Sequence, residues 1–287
     1  MMENQWLKVN TKADGAELTS ILLKEDHTEY LWQGDPKVWG RHAPILFPIV
    51  GRLKENTCII DGKEYHMTQH GFARDMTFDT LEESEDHVLY QLTSNENTLK
   101  HYPYRFQLRV EYILEEKSII IKYSVKNIDN QKIYFSIGAH PGFNCPLLEG
   151  ESMEDYVLEF EKEEVLDKMC LDNGLILEEK QPFLNHEKTI PVTKELFIND
   201  ALIVENTKSK YITLKSTKSN KSVSVTFDEF RYLGIWSKAD GAPFICIEPW
   251  LGIADYKNKA ADFKDKSGML SLDPEEKFQC SYTIRIQ

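Results

Sequence analysis

Apolar and polar side chains alternate with a period of two along most of this chain. Phe106, Leu108, Val110, Tyr112 and Leu114 alternate with Arg105, Gln107, Arg109 and Glu111, and Ile119, Ile121, Tyr123 and Val125 alternate with Lys122, Ser124 and Lys126. Successive side chains of an extended chain point to opposite faces, so these runs predict two strands, paired across a short Glu115-Glu116-Lys117 turn. Val223, Val225 and Phe227 repeat the pattern against Ser222, Ser224 and Thr226, and Asp61-Gly62 between two strand-like runs predicts a tight hairpin. Only Asn95–His101 and Tyr256–Phe263 read as helical. Strands do not alternate with long helices as in an α/β nucleotide-binding fold, and there is no glycine-rich phosphate loop. The acidic, less regular stretch Glu149–Glu195 predicts strands with long loops, an elaboration within one domain. Its Glu161, Glu163 and Glu164 read as a solvated face, because they lack the oxygen-ligand spacing of a calcium loop.

Composition narrows the classes. The chain has 287 residues, long for one domain but within the range of large β-sandwiches, and residues 1–287 are expected to form a single domain with a generous core. A net charge of −13 argues against a nucleic-acid partner, and no polybasic or heptad segment is present. From Arg41 to Arg74 the balance is instead +2, which points to a mildly cationic site there. Five cysteines without a CxxC pair argue against a complete disulfide framework, so reduced thiols are expected. The start MMENQWLKVN lacks a basic, then apolar leader, and no apolar run approaches the roughly 18–20 residues of a membrane span. No membrane partner and a cytoplasmic location follow as expectations.

Two segments carry candidate chemistry. In Gly138-Ala139-His140-Pro141-Gly142-Phe143-Asn144, Pro141 holds His140 extended while the glycines permit turns or close approach. An imidazole aimed at a strand end suits proton transfer, and the alternative is a buried histidine satisfied by a backbone carbonyl. Pro243-Phe244-Ile245-Cys246-Ile247-Glu248-Pro249-Trp250 reads as a buried strand ending at Glu248, stopped by Pro249. Burial there would raise the carboxyl's pKa and make it a better proton acceptor, and Trp250 offers a flat apolar face of the kind sugar rings stack on. The alternative is a strand-end carboxylate in a salt bridge. His66 and His70 are four apart, but in an extended segment that spacing is roughly 13 Å, too far for one zinc ion. His66 therefore reads as structural, and Cys145 as a small buried thiol rather than a nucleophile.

Taken together, the strings RHAPILFPIVGRL (Arg41–Leu53), QHGFARD (Gln69–Asp75), SIGAHPGFNCP (Ser136–Pro146) and CIEPWLGIAD (Cys246–Asp255), with the hairpin Thr57–Tyr65, resemble the aldose 1-epimerase, or galactose mutarotase-like, superfamily. The resemblance covers essentially the whole chain and is closest to the bacterial LacX-type branch. It implies an all-β fold, a large antiparallel β-sandwich, and an isomerase that interconverts the anomers of an aldose without metal, nucleotide or redox cofactor. Glu248 matches the family's base and His140 its acid. His70 matches a histidine near the sugar ring oxygen, and Arg52 an arginine that holds substrate hydroxyls. Trp250 or Phe72 would pack on the sugar, and Asp228 or Asp240 stand as candidates for a sugar-binding aspartate.

Three other readings stay open. A hexose-6-phosphate 1-epimerase would bind phosphate through Arg52 or Arg74, with Arg41 in support. A carbohydrate-binding protein could keep the fold without catalysis. A glycosidase would pair Glu248 with Asp228 or Asp240. The partner expected in every case is a small sugar or sugar phosphate, and a homodimer is left open.

Overall fold

The computed structural model describes residues 1–259 and 262–287. Fifteen strands form one long sheet. In chain order they are β1 (Ile45–Leu46), β2 (Asp79–Glu83), β3 (His87–Thr93), β4 (Phe106–Glu115), β5 (Ser118–Asn127), β6 (Gly138–Ala139), β7 (Gly142–Asn144), β8 (Tyr156–Asp172), β9 (Leu175–Pro191), β10 (Leu202–Glu205), β11 (Tyr211–Ser216), β12 (Ser222–Thr226), β13 (Tyr232–Trp236), β14 (Phe244–Trp250) and β15 (Lys277–Ile286). The spatial order is β1-β6-β14-β13-β10-β8-β11-β12-β15-β5-β4-β3-β2, with β7 also on β14 and β9 also on β8. A four-stranded sheet (Met2–Glu3, Leu7–Lys12, Glu17–Leu23, Thr28–Glu29) and two small pairs complete the β structure.

One apolar cluster joins both ends of the long sheet: Leu108, Val110 and Ile121 from β4 and β5 pack in the same core as Leu233, Ile235, Ile245 and Ile247 from β13 and β14. The sheet is therefore folded over on itself with its apolar faces inward, as a sandwich requires. The alternation that predicted β4 and β5 is realised as a ten-pair antiparallel ladder from Phe106↔Asn127 to Glu115↔Ser118. Asp61-Gly62 makes the expected hairpin, both residues at positive φ (50° and 75°). The helix expected near Asn95 is α1 (Glu96–His101), with a capping box between Asn95 and Thr98. Among the described residues no helix is long and apolar enough to cross a membrane.

Four expectations need correction. Glu149–Glu195 does not consist of strands with long loops: β8 and β9 are 17 residues each and form one long hairpin. Register shifts at four places and a largely exposed β9 blur its periodicity. The turn is Asn173-Gly174, both at positive φ, a strong hairpin signal. Within it Glu164 is not solvated. It is 1 % exposed and accepts hydrogen bonds from the backbone N–H groups of Lys208 and Ser209, at one of the register shifts. Tyr256–Phe263 is not a helix over its described part: Tyr256 bridges Ile176, and Phe263 opens a single 3-10 turn to Asp265. Positions 260 and 261 lie outside the described residues.

Nor does Pro249 stop its strand, since β14 continues to Trp250. Ile247 and Leu251 donate their N–H groups to Pro141 and Ile137 on one edge. N–H groups of alternate residues share an edge, so the donor missing at Pro249 falls where His140-Pro141 already interrupts the ladder between β6 and β7. On the other edge the pairing with β13 is intact, Leu233 opposite Pro249 and Gly234 opposite Glu248.

The segment carrying His70 is held by backbone geometry. His70 and Gly71 both have positive φ (67° and 70°), and Gly71 bridges Phe47 so closely that an added Cβ would lie 2.3 Å from its carbonyl oxygen. Gly71→Ala is expected to lower the unfolding free energy by about 2–4 kcal/mol, since strain and overlap add. Gly62→Ala, at positive φ but in open space, should cost about 1 kcal/mol or less. Urea denaturation compares the two, and equal losses would show that the approach to Phe47 is not the constraint.

Candidate active site

Register brings the two motif residues together. The pairs Gly138↔Trp250 and Gly142↔Cys246 place His140 directly opposite Glu248. Opposite residues of an antiparallel pair project to the same face, and the His140 Nε2 lies 3.1 Å from Oε2 of Glu248. On β14 the odd-numbered Ile245 and Ile247 enter the main core, so Cys246, Glu248 and Trp250 occupy the other face. The Trp250 indole lies there across β6 and β13. A Cβ on Gly138 or Gly234 would come within 2.7 and 2.8 Å of its ring, so both positions require glycine for this close approach.

Around this pair lies a cavity of about 470 Å³, within the range of about 300–1,000 Å³ usual for small-molecule sites. His140 and Glu248 line it, as do His70, Arg52, Arg74, Trp250, Trp39, Trp236, Gln69, Asn173 and Asp200. Trp39 stacks on the His140 ring at 5.0 Å and 30°, and Trp236 meets that ring edge-on at 5.7 Å. His70 stands perpendicular to His140 at 5.5 Å. Its Nδ1 accepts the N–H of Gly51, which assigns the ring proton of the neutral form to Nε2. The Arg74 Nη2 donates to the Gln69 carbonyl. Arg52 Nη1 donates to the Asn173 carbonyl at 3.0 Å, tying the tip of the β8–β9 hairpin to the cavity rim.

Burial dominates the electrostatics. Desolvation, aided by the Asp200 charge, pushes the Glu248 carboxyl well above the ordinary carboxylate range. Desolvation also lowers His140 to about 3, with the positive charge of Arg74 acting in the same direction. It holds His70 well below the usual imidazole value, with His140 and the two arginines Arg74 and Arg41 adding to the effect. Arg74 is brought down to about 10, mainly by burial, and stays charged at neutral pH. Four buried polar atoms on these lining residues lack a hydrogen-bond partner among the described residues: Nδ1 of His140, Oε2 of Glu248, Nε of Arg74 and Nε1 of Trp250. Each such group costs about 1–3 kcal/mol while unpaired, so the site is built to favour a polar ligand.

Most of the sequence candidates converge on this cavity, and four do not. Phe72 packs instead on Tyr102 and Phe106 at the margin of the main core. Asp228 and Asp240 are exposed away from the cavity, Asp240 beside Lys238. The cavity aspartate is Asp200, which follows a 3-10 turn with φ 75° and carries no periodic signal. Arg41 pairs with Asp75 at 2.8 Å and lines the adjoining cleft that Arg74 shares. Trp39 and Trp236 were missed as well. Trp39 stands two residues before the Arg41 string, so proximity to that motif was its available signal. His66 is exposed on its hairpin strand beside Glu64, and Cys145 is fully buried.

Comparison with known proteins identifies the family and the fold. A family model described as aldose 1-epimerase matches residues 2–260. Protein LacX (plasmid) of Lactococcus lactis subsp. lactis is 40 % identical over 295 residues, covering 99 % of this chain and 98 % of that protein. A galactose mutarotase related enzyme from Lactobacillus acidophilus is 34 % identical with a TM-score of 0.96, covering 100 % of this chain and 96 % of the other. A galactose mutarotase-like protein from Lactobacillus casei is 32 % identical with a TM-score of 0.93, covering 100 % and 99 %. The sandwich is thus of the galactose mutarotase-like type.

The shifted groups have opposite linkage to stability. Glu248, raised in the folded state, stabilises below its unfolded value near 4.5 and loses that contribution as pH rises through its folded value. His140, lowered in the folded state, contributes fully above 6.5 and loses its contribution as pH falls toward about 3. Glu248→Gln removes the first outright and leaves His140 beside a neutral amide. The variant is therefore expected to be more stable than the parent at neutral pH, on the order of 1 kcal/mol, by a margin that widens as pH rises from about 5 toward the raised folded value of Glu248. Thermal melts across that range test this, and a margin independent of pH would mean that Glu248 is ionised in the fold.

Proposed function

The chain belongs to the aldose 1-epimerase family, and on that premise we propose that it interconverts the α and β anomers of a hexose by acid–base ring opening. The observation that carries the reading is the 3.1 Å contact between His140 and Glu248 on one wall of a polar, aromatic-lined cavity. Anomer exchange needs one proton removed from the anomeric hydroxyl and one delivered to the ring oxygen. Glu248 removes the first and His140 supplies the second, opening the ring to the aldehyde. Rotation about C1–C2 presents the other carbonyl face, and the reverse transfers close the ring.

A conserved proton count makes the pair suited to this. With carboxylate and imidazolium the pair holds one proton, and with carboxylic acid and neutral imidazole it also holds one. The first arrangement is ready for ring opening and the second accompanies the open aldehyde. Burial favours the uncharged arrangement, which lowers the energy of the state that goes with the intermediate. The neutral His70, with its proton on Nε2, donates toward the ring oxygen, while Arg52, Gln69, Asn173 and Asp200 hold hydroxyls. Trp39, Trp236 and Trp250 cover the sugar's apolar face. Every role is filled by a side chain of the protein, so the reading calls for no cofactor.

Because the proton count belongs to the pair, so do the limbs of its pH profile. The raised Glu248 and the lowered His140 leave the singly protonated pair dominant from about 3 to well above the ordinary carboxylate range. Exchange measured by NMR between anomers is expected to persist through mildly acidic pH, without an inflection near 6.5. Glu248→Gln and His140→Asn should each slow turnover by about 10²–10⁴-fold. Near parental exchange in Glu248→Gln would remove the carboxylate from its role.

A second reading, a 6-phosphorylated hexose as substrate, is favoured by the charged Arg74 on the cavity wall, whose Nε makes no hydrogen bond and stands 3.8 Å from the Asp75 carboxylate. If the substrate is phosphorylated, Arg74→Ala raises KM for the 6-phosphosugar by at least about tenfold and leaves the free hexose little changed, with added salt weakening only the former. Equal losses for both substrates would make Arg74 a structural group and leave the free aldose as substrate.

A further inference from the structure

Cys246 stands two residues before Glu248 on the same face of β14. Its Sγ, a ring nitrogen of His140 and a carboxylate oxygen of Glu248 all lie within 4.8 Å of one another, and all three residues are buried. Zinc bonds of 2.0–2.3 Å at a tetrahedral angle place neighbouring ligand atoms about 3.3–3.6 Å apart. His140 and Glu248 already stand at 3.1 Å, and the thiol has to approach by no more than about 1.2–1.5 Å. Oε2 of Glu248, buried and not engaged in an aligned hydrogen bond, is the oxygen in that contact. His140 and Glu248 both line the cavity, so an ion held by them would lie at its wall.

We propose that His140, Cys246 and Glu248 form a three-ligand site for a thiophilic divalent cation of the zinc type, and that its occupation switches the enzyme off. Charge balance favours such an ion in a buried place: a thiolate and a carboxylate carry −2, the histidine is neutral, and the cation supplies +2. Binding displaces the thiol proton and the proton held by the His140–Glu248 pair, and both leave to solvent. The bound ion then occupies the lone pairs through which proton transfer must pass. Magnesium and calcium require a larger set of oxygen ligands and are excluded. Cys246 is not on the cavity wall and has no part in the proposed proton transfers. The inhibition half of the inference rests on the epimerase reading, whereas the binding half rests on geometry alone.

The test uses the full chain freed of metal with a chelator and titrated with Co²⁺ as a spectroscopic probe. A thiolate-to-cobalt charge-transfer band should rise with binding, release about two protons per ion near neutral pH, and collapse when Zn²⁺ displaces the cobalt. Zn²⁺ should slow anomer exchange, and the chelator should restore it. Cys246→Ser and Cys246→Ala, checked by thermal melting for an intact fold, should retain exchange within about twofold, lack the band and need at least about tenfold more Zn²⁺ for inhibition. Absence of the band in the parent protein, its persistence in both variants, or unchanged zinc inhibition in them would each overturn the site. A band in a protein that shows no anomer exchange would uphold the site and instead defeat the epimerase reading.

Discussion

The site depends on one strand register, that of β14 against the interrupted pair β6 and β7. A slip of one residue would turn Glu248 into the main core and bring Ile247 to the cavity. The register is held from two sides. Ile245 and Ile247 are fully buried in the sandwich core, and the N–H groups of Ile247 and Leu251 reach Pro141 and Ile137 across the break that leaves His140 free of the ladder. What the fold tolerates in return is a carboxylate that is 1 % exposed and incompletely hydrogen-bonded. That costs on the order of a few kcal/mol, which a core of this extent can absorb.

Two charges of opposite sign then act on the two ends of the pair. Asp200 raises Glu248, and Arg74 lowers His140. Both effects favour a proton on the carboxylate over one on the imidazole, the change in protonation that accompanies ring opening in the proposed reaction. Asp200 and Arg74 come from segments remote in sequence, and neither needs to touch the reacting atoms to exert this bias. A field from fixed charges in a desolvated cavity acts without reorganising during the reaction.

The centre of the site was legible in the sequence because it is made of strand ends with strong local signals. Proline after His140 and after Glu248, glycines at 138 and 142, and an apolar run interrupted by one acid all bear on local backbone conformation, so they can be read locally. The β4–β5 ladder and the Asp61-Gly62 hairpin were legible for the same reason. Pro249 misled because its effect depends on which ladder edge its missing N–H faces, and the sequence does not state that. Asp200 escaped notice because a turn residue with positive φ has no periodicity, and Trp39 and Trp236 because ring contact with a histidine is a tertiary relation. The β8–β9 hairpin was obscured by charges on strands that face solvent, although its Asn173-Gly174 turn was in plain view.

The same division separates the floor of the cavity from its rim. The floor, His140, Glu248 and Trp250, belongs to adjacent strands of one sheet and is as rigid as their pairing. The rim is built by contacts between segments far apart in sequence. Arg52 holds the Asn173 carbonyl, and the backbone of Asp255 bonds both Arg52 and Ile176. The Asp255 carboxylate accepts the N–H of Lys54 and pairs with the buried Lys266 at 3.1 Å. Asp255 thus fastens the β8–β9 hairpin and the Arg52 loop to the segment just after β14, and the rim moves only if this knot loosens. Residues that read the far end of a ligand can change on such a rim without disturbing the register that places Glu248 opposite His140. In the proposed reaction, substrate choice is therefore free to vary on this fold while His140 and Glu248 stay fixed.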